Sequence, residues 1–142
     1  MKDRKILVPL DSSPLSEQTV KGLIALKENI TVPLTLLHIF DPSLISYRGF
    51  AQTHFLEIEE RAREGARQFI AQQQQIFAAA GMQVNTLVKE GHAREAICEL
   101  ADSGEYDLLV LSRNPDSDLR NLLFGQVASF LVHQVKCPVL IV

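Results

Sequence analysis

Leu108-Leu109-Val110-Leu111-Ser112-Arg113-Asn114-Pro115-Asp116-Ser117-Asp118-Leu119-Arg120-Asn121 is the stretch whose character settles the architecture. Its first four residues form a short, continuous apolar run, the pattern of a strand buried on both faces. A polar loop follows and leads into a second apolar segment, Leu122 to Val135, read as a helix. A loop that leaves such a strand and opens a helix is where α/β proteins hold anions, because free backbone N–H groups and the positive end of the helix dipole converge there. Close approach of an anion to the backbone needs glycine. None occurs until Gly125. The frame of a phosphate site is therefore expected here, with its cradle dismantled.

Working outward, the same alternation recurs. Ile6-Leu7-Val8-Pro9-Leu10 is another buried-type run, closed by Asp11-Ser12-Ser13-Pro14. Ser13 suits a helix cap and Pro14 the first helical position, with Leu15, Val20, Leu23, Ile24 and Ala25 as the inner face. Leu34 to Phe40 reads as the next buried strand, and Asp41 to Ala51 as a loop over the strand ends. From Thr53 to Ala80, Phe55, Ile58, Ala62, Ala66, Phe69, Ile70, Gln73, Phe77 and Ala80 recur at helical spacing. Two i,i+4 pairs, Glu57 with Arg61 and Glu59 with Arg63, are expected on its outer face, and Gln72 to Gln75 is read as solvated. Gly81 stops that helix, and Val84, Thr86 and Val88 alternate with polar neighbours as in an edge strand. A helix over Ala93 to Ala101 and a last strand over Cys137 to Val142 complete the series. Strands alternating with helices, several of the strands apolar throughout, call for a parallel sheet covered on both faces.

Bulk properties narrow the function classes. A chain of 142 residues is one domain's worth and buries roughly 68 to 70% of its unfolded surface, so no disulfide or metal is needed to hold it. Cys98 and Cys137 form no paired motif and are read as reduced, partly buried thiols. The net charge is −3 and the basic residues are scattered, which argues against nucleic acid as a partner. The apolar run after Met1-Lys2-Asp3-Arg4-Lys5 is short and broken by Pro9 and Asp11, unlike a signal peptide, and no stretch suits a membrane span. A soluble, cytoplasmic protein is expected. His38, inside a strand, is read as a hydrogen-bonded core histidine, and His54, His92 and His133 are not spaced as metal ligands. No G-x-S-x-G elbow is present, and Ser12 and Ser13 are explained by helix capping.

In this order and spacing, Ile6-Leu7-Val8-Pro9-Leu10-Asp11-Ser12-Ser13, Leu36-Leu37-His38-Ile39, Gly91 through Ile97, Tyr106 to Leu111, and Gly125-Gln126-Val127 leading to Cys137-Pro138-Val139-Leu140-Ile141-Val142 resemble the universal stress protein family across nearly the whole chain. The resemblance implies a single Rossmann-like domain of the adenine-nucleotide alpha hydrolase-like kind, over residues 1–142, with a five-stranded parallel sheet. It also implies a homodimer through the last strand. Some members bind ATP through a loop G-x2-G-x9-G-[ST]; others lack it. Laid on this chain with Gly125 as the third glycine, the other positions are Ser112, Pro115 and Gln126, so one of four matches.

Physical chemistry supports the mismatch. Pro115 has no N–H to donate, and side chains at the glycine positions crowd a phosphate. An acid about 8 Å from a phosphate charge costs roughly 2 kcal/mol at an effective dielectric of ~20, so Asp116 and Asp118 oppose an anion unless Arg113 and Arg120 cancel them. The family's adenine-binding positions map onto Asp11 and Ile39. Asp11 equally suits a turn into the first helix, and Arg113 either holds an anion or pairs with Asp116 or Asp118. The reading is a dimeric, non-enzymatic stress-response protein with a residual cleft at Asp11, Ile39, Ser112, Arg113, Pro115, Gly125 and Gln126, without a cofactor, acting through a protein partner or a small ligand. The alternative is an adenine-nucleotide binder taking ATP or AMP with Mg²⁺ and hydrolysing it weakly or not at all. The edge strand from Val139 to Val142 is apolar and needs cover, which self-pairing or a shielding loop would provide.

Overall fold

A computed structural model describes residues 4–45, 54–113 and 126–142. Five parallel strands, β1 (Ile6–Pro9), β2 (Leu34–Phe40), β3 (Val84–Glu90), β4 (Leu108–Leu111) and β5 (Val139–Ile141), alternate with four helices, α1 (Pro14–Ala25), α2 (Phe55–Ala79), α3 (Ala93–Ala101) and α4 (Gln126–Gln134). The strand order is β3-β2-β1-β4-β5. The chain thus moves outward from β1 through β2 to β3, then returns across β1 to β4 and β5. Right-handed crossovers place helices on opposite faces when the direction of travel reverses. The packing obeys this rule. Val20, Leu23, Ile70 and Phe77, from α1 and α2, share one core with Val8, Leu36 and Val110, whereas Ile97, Ala101 and Leu131, from α3 and α4, share the other with Leu7, Leu37 and Leu109.

Leu7, Val8, Leu36, Leu37, Leu109 and Val110 are completely buried, which explains the uninterrupted apolar runs of β1, β2 and β4. At β3 the pattern departs from the alternation read in the sequence. Val84 and Val88 pack on the α1/α2 side as expected, but Thr86 is exposed and Leu87 packs on the α3/α4 side, because an edge strand is covered only where a helix reaches it. The nine positions assigned to the inner face of the second helix are all at least partly buried, eight of them in α2 and the last, Ala80, at its C-cap. Gly81 ends that helix with φ +85°, while Met82 N–H reaches back to the Phe77 carbonyl at 2.9 Å.

Some local expectations are corrected. Glu57 faces His54 at 3.6 Å and makes no pair with Arg61, whereas Arg63 meets Glu59 at 3.9 Å, Glu60 at 3.0 Å and, across the layer, Glu90 of β3 at 3.0 Å. Arg63 also lies over the Phe40 ring, 5.3 Å from its centre, so it stitches α2 to the sheet edge. Pro42–Leu44, read as loop, makes a 3₁₀ turn, with Asp41 accepting from Ser43 N–H. The start of the last helix expected at Leu122 lies outside the described residues.

The final strand is held at its base by Asp102, whose carboxylate accepts the backbone N–H groups of Lys136 and Cys137 at 3.0 and 3.1 Å. Burial pushes the Cys137 thiol up, and the Asp102 charge adds to that shift. β5 forms one edge of the sheet, with Leu140 exposed, as expected of an edge strand there. Among the described residues no helix is long and apolar enough to cross a membrane.

Candidate functional site: the cleft at the strand reversal

Because β1 pairs with β2 on one side and β4 on the other, the connections leaving β1 and β4 diverge to opposite faces of the sheet. A crevice opens where they part, beyond the carboxyl ends of the two strands. It encloses about 270 Å³. Leu10 and Asp11 come from the end of β1, His38 and Ile39 from β2, Leu111 and Ser112 from the end of β4, and Gln126 and Val127 from α4. Ile97 and Ala93 of α3 form a further apolar wall.

Asp11 organises the mouth. Its Oδ1 accepts the Ser13 N–H at 2.8 Å and the Ser16 hydroxyl at 2.9 Å, and Ser16 Oγ in turn accepts the Asp11 N–H at 2.7 Å. This closed ring of bonds forms the turn from β1 into α1. Ser13 stands at the N-cap as the sequence indicated, but its side chain makes no capping bond; the cap chemistry is supplied by Asp11. One Asp11 oxygen is therefore committed to structure. Oδ2 has no partner among the described residues and remains an acceptor.

The floor is set by a second hydroxyl pair. Thr19 Oγ1 donates to the Leu15 carbonyl at 3.0 Å, so the Ser112 hydroxyl must donate to Thr19. Ser112 is only 4% exposed and Thr19 3%. The bond joins residues far apart in sequence and fastens the end of β4 to α1. His38 Nδ1 lies 2.8 Å from the Leu10 carbonyl. A carbonyl only accepts, so Nδ1 carries the proton. The ring also rests against Phe69, 4.7 Å between centres, in keeping with a hydrogen-bonded strand histidine that additionally borders the cleft.

Asp11, Ile39, Ser112 and Gln126 are thus brought together at one crevice. Arg113 is exposed, lies outside the lining and has no partner among the described residues. Pro115 and Gly125, with Asp116, Asp118 and Arg120, lie outside the described residues. Among the described residues Asp11 is the only Asp, Glu, Lys or Arg on the lining. Sequence reasoning missed Thr19 and Ser16. Both carried a signal: each is a hydroxyl residue in the first turns of a helix that follows a buried strand, and Thr19 falls beside Val20 on the inward side.

Beside the cleft, Asp41 and His92 join the ends of β2 and β3, with His92 Nδ1 3.0 Å from Asp41 Oδ2. The bond to Asp41 raises the imidazole's proton affinity. Asp41 itself is held below the usual carboxylate range by its bond from the Ser43 hydroxyl, with His92 contributing.

A model of the universal stress protein family matches residues 3–142. A universal stress protein of Synechocystis is 28% identical, over 97% of this chain and 96% of its own length. Among solved structures, the universal stress protein UspA from Lactobacillus plantarum gives a TM-score of 0.75 at 22% identity, covering 100% of this chain and 99% of that one. An Arabidopsis thaliana universal stress protein family protein with AMP bound gives 0.69 at 17% identity, covering 98% and 90%. At those identities the structural likeness speaks for the fold.

Proposed function

The chain belongs to the universal stress protein family, and from that premise we propose that it is a non-enzymatic stress-response protein whose cleft keeps the base-and-sugar half of a nucleotide site and does not hold MgATP. It works as a homodimer paired along β5, passing its state to a protein partner. One observation carries the reading: Ser112, at the first glycine position of the ATP-type loop, is buried and bonded to Thr19. That bond ties the start of the loop to α1, where an open cradle would present bare backbone N–H groups to phosphate. The sequence adds Pro115 at the second glycine position and Gln126 where a Ser or Thr would stand.

The absence of catalysis is supported by how the titratable lining groups are used. One Asp11 oxygen holds the α1 turn, and His38 is bonded to a backbone carbonyl and to no Ser or Thr hydroxyl among the described residues, so no base–nucleophile pair is formed there. A second reading, an adenine-nucleotide binder with weak or no hydrolysis, draws on the AMP-bound Arabidopsis relative. It would use Asp11, Ile39, Arg113, Gly125 and Gln126.

Calorimetric titration of nucleotide-stripped protein with ATP, ADP and AMP in the presence of Mg²⁺ separates the two. No heat with ATP up to millimolar concentration is expected. Micromolar ATP affinity that falls in Asp11→Ala or Arg113→Ala would establish the second reading.

A further inference from the structure

We propose that Asp41 and His92 form a proton-operated latch on one wall of the cleft: a charged imidazole holds the first turn of α3 against the end of β2, and a neutral one lets that turn loosen. The pair bridges two connections that the sheet sets side by side. β2 and β3 stay in register as far as Phe40 and Glu90, so the segments leaving them start together. The Gly91 N–H then donates to the Phe40 carbonyl at 3.0 Å, with Gly91 at φ +145°, a conformation that glycine adopts at little cost. Strand bonds thus pin the chain up to Gly91. Beyond it come His92, at the N-cap of α3, and Ala93 and Ile97, which face the cleft and are held by side-chain contacts.

The two halves of the latch differ in how firmly they are held. Asp41 is the anchored half, its side chain only 12% exposed, with Oδ1 accepting the Ser43 N–H at 2.9 Å and the Ser43 hydroxyl at 2.6 Å. Oδ2 is left for the imidazole. His92 is the movable half. Its side chain makes no capping bond and is 69% exposed, open to protons from solvent, and its Nδ1 donates to Asp41 Oδ2 at 3.0 Å. Charge on the ring makes that bond charge-assisted from both sides instead of from the carboxylate alone. Among the described residues the charged groups that act on His92 are Asp41, from the segment after β2, and Glu95, from α3 itself, and both favour the charged ring. The positive end of α3 acts the other way. Without Asp41, a cation at the start of this helix would loosen the first turn; with it, protonation tightens that turn.

Amide hydrogen exchange of Ala96, followed by NMR, reads this turn, because the Ala96 N–H donates to the His92 carbonyl at 2.9 Å. After correction for the intrinsic exchange rate, Ala96 protection is expected to fall about two- to five-fold between pH 6 and pH 8, with the midpoint at which the His92 ring itself titrates. Low concentrations of urea should leave that exchange unchanged, since a local opening exposes little surface. His92→Gln should abolish the pH step. Asp41→Asn, which keeps an acceptor for Ser43, should abolish or reverse it. A step that is absent from the unmodified protein, or that persists in His92→Gln, overturns the proposal. So does Ala96 exchange that quickens with urea as the core amides do, since the pair would then be a stabilising contact with no moving part.

Discussion

The hydroxyl of Thr19 is buried on the inward side of α1 beside Ser16, Val20 and Leu23, and it is the acceptor for the Ser112 hydroxyl. Replacing Thr19 by the near-isosteric Val removes that acceptor and leaves the buried Ser112 hydroxyl without its partner. A loss of about 1 to 3 kcal/mol is expected in urea unfolding. Ser112→Ala leaves Thr19 bonded to the Leu15 carbonyl and should cost less, about 0.5 to 1.5 kcal/mol. Equal losses would show that the pair is not the asymmetric donor and acceptor described here. The Asp41–His92 pair makes a pH prediction. His92 binds its proton more tightly when folded, so its contribution is complete below the ordinary imidazole value of 6.5 and is lost as pH rises through the raised folded value. Asp41 is shifted down, so its contribution is complete above the ordinary 3.8 and is lost as pH falls through the lowered value. The pair therefore stabilises most fully between those two ordinary values. His92→Gln should flatten the decline in stability expected on going from pH 6 to 8; an unchanged decline would assign it to other groups.

Two helical glycines separate propensity from packing. Gly65 lies in the exposed interior of α2, where an added Cβ meets nothing within 4 Å. Gly65→Ala should therefore stabilise the protein by about 0.5 to 1 kcal/mol, through the lower entropy cost of alanine in a helix. Gly22 lies in α1, and a Cβ there would stand 3.0 Å from Val142 Cβ. That neighbour is attached directly to the backbone just past β5, so relief requires the strand to shift. Gly22→Ala should lose about 1 to 3 kcal/mol, and thermal melts of the two variants should move in opposite directions. At this scale most of the molecule was legible in its sequence. Continuous apolar runs gave β1, β2 and β4, and the three-to-four-residue spacing gave α2, because burial on two faces or on one stripe leaves a periodic trace. The misses were of another kind. The exposed Thr86, the Arg63–Glu90 bridge and the Pro42–Leu44 turn depend on which helix overhangs an edge and on bonds between distant residues, and no local period encodes those.

The whole molecule places its cleft where the strand order reverses, and the sequence located that place through Asp11, Ile39, Ser112 and Gln126. It did not disclose the bond from Ser112 to Thr19, because a serine after a strand reads the same whether its hydroxyl faces solvent or a helix. The edge at β5 belongs to this scale as well. Leu140 is 37% exposed on a strand paired on one side only, so the proposed homodimer should appear in sedimentation equilibrium. Leu140→Lys should shift it to monomer; a monomeric parent protein would mean that something else covers the edge. The central claim is that the loop after β4 does not wrap a triphosphate. Amide hydrogen exchange across residues 112–126, with and without millimolar MgATP, reads that loop directly. Unchanged exchange is the predicted result, and slowed exchange along the loop on adding MgATP would contradict the account.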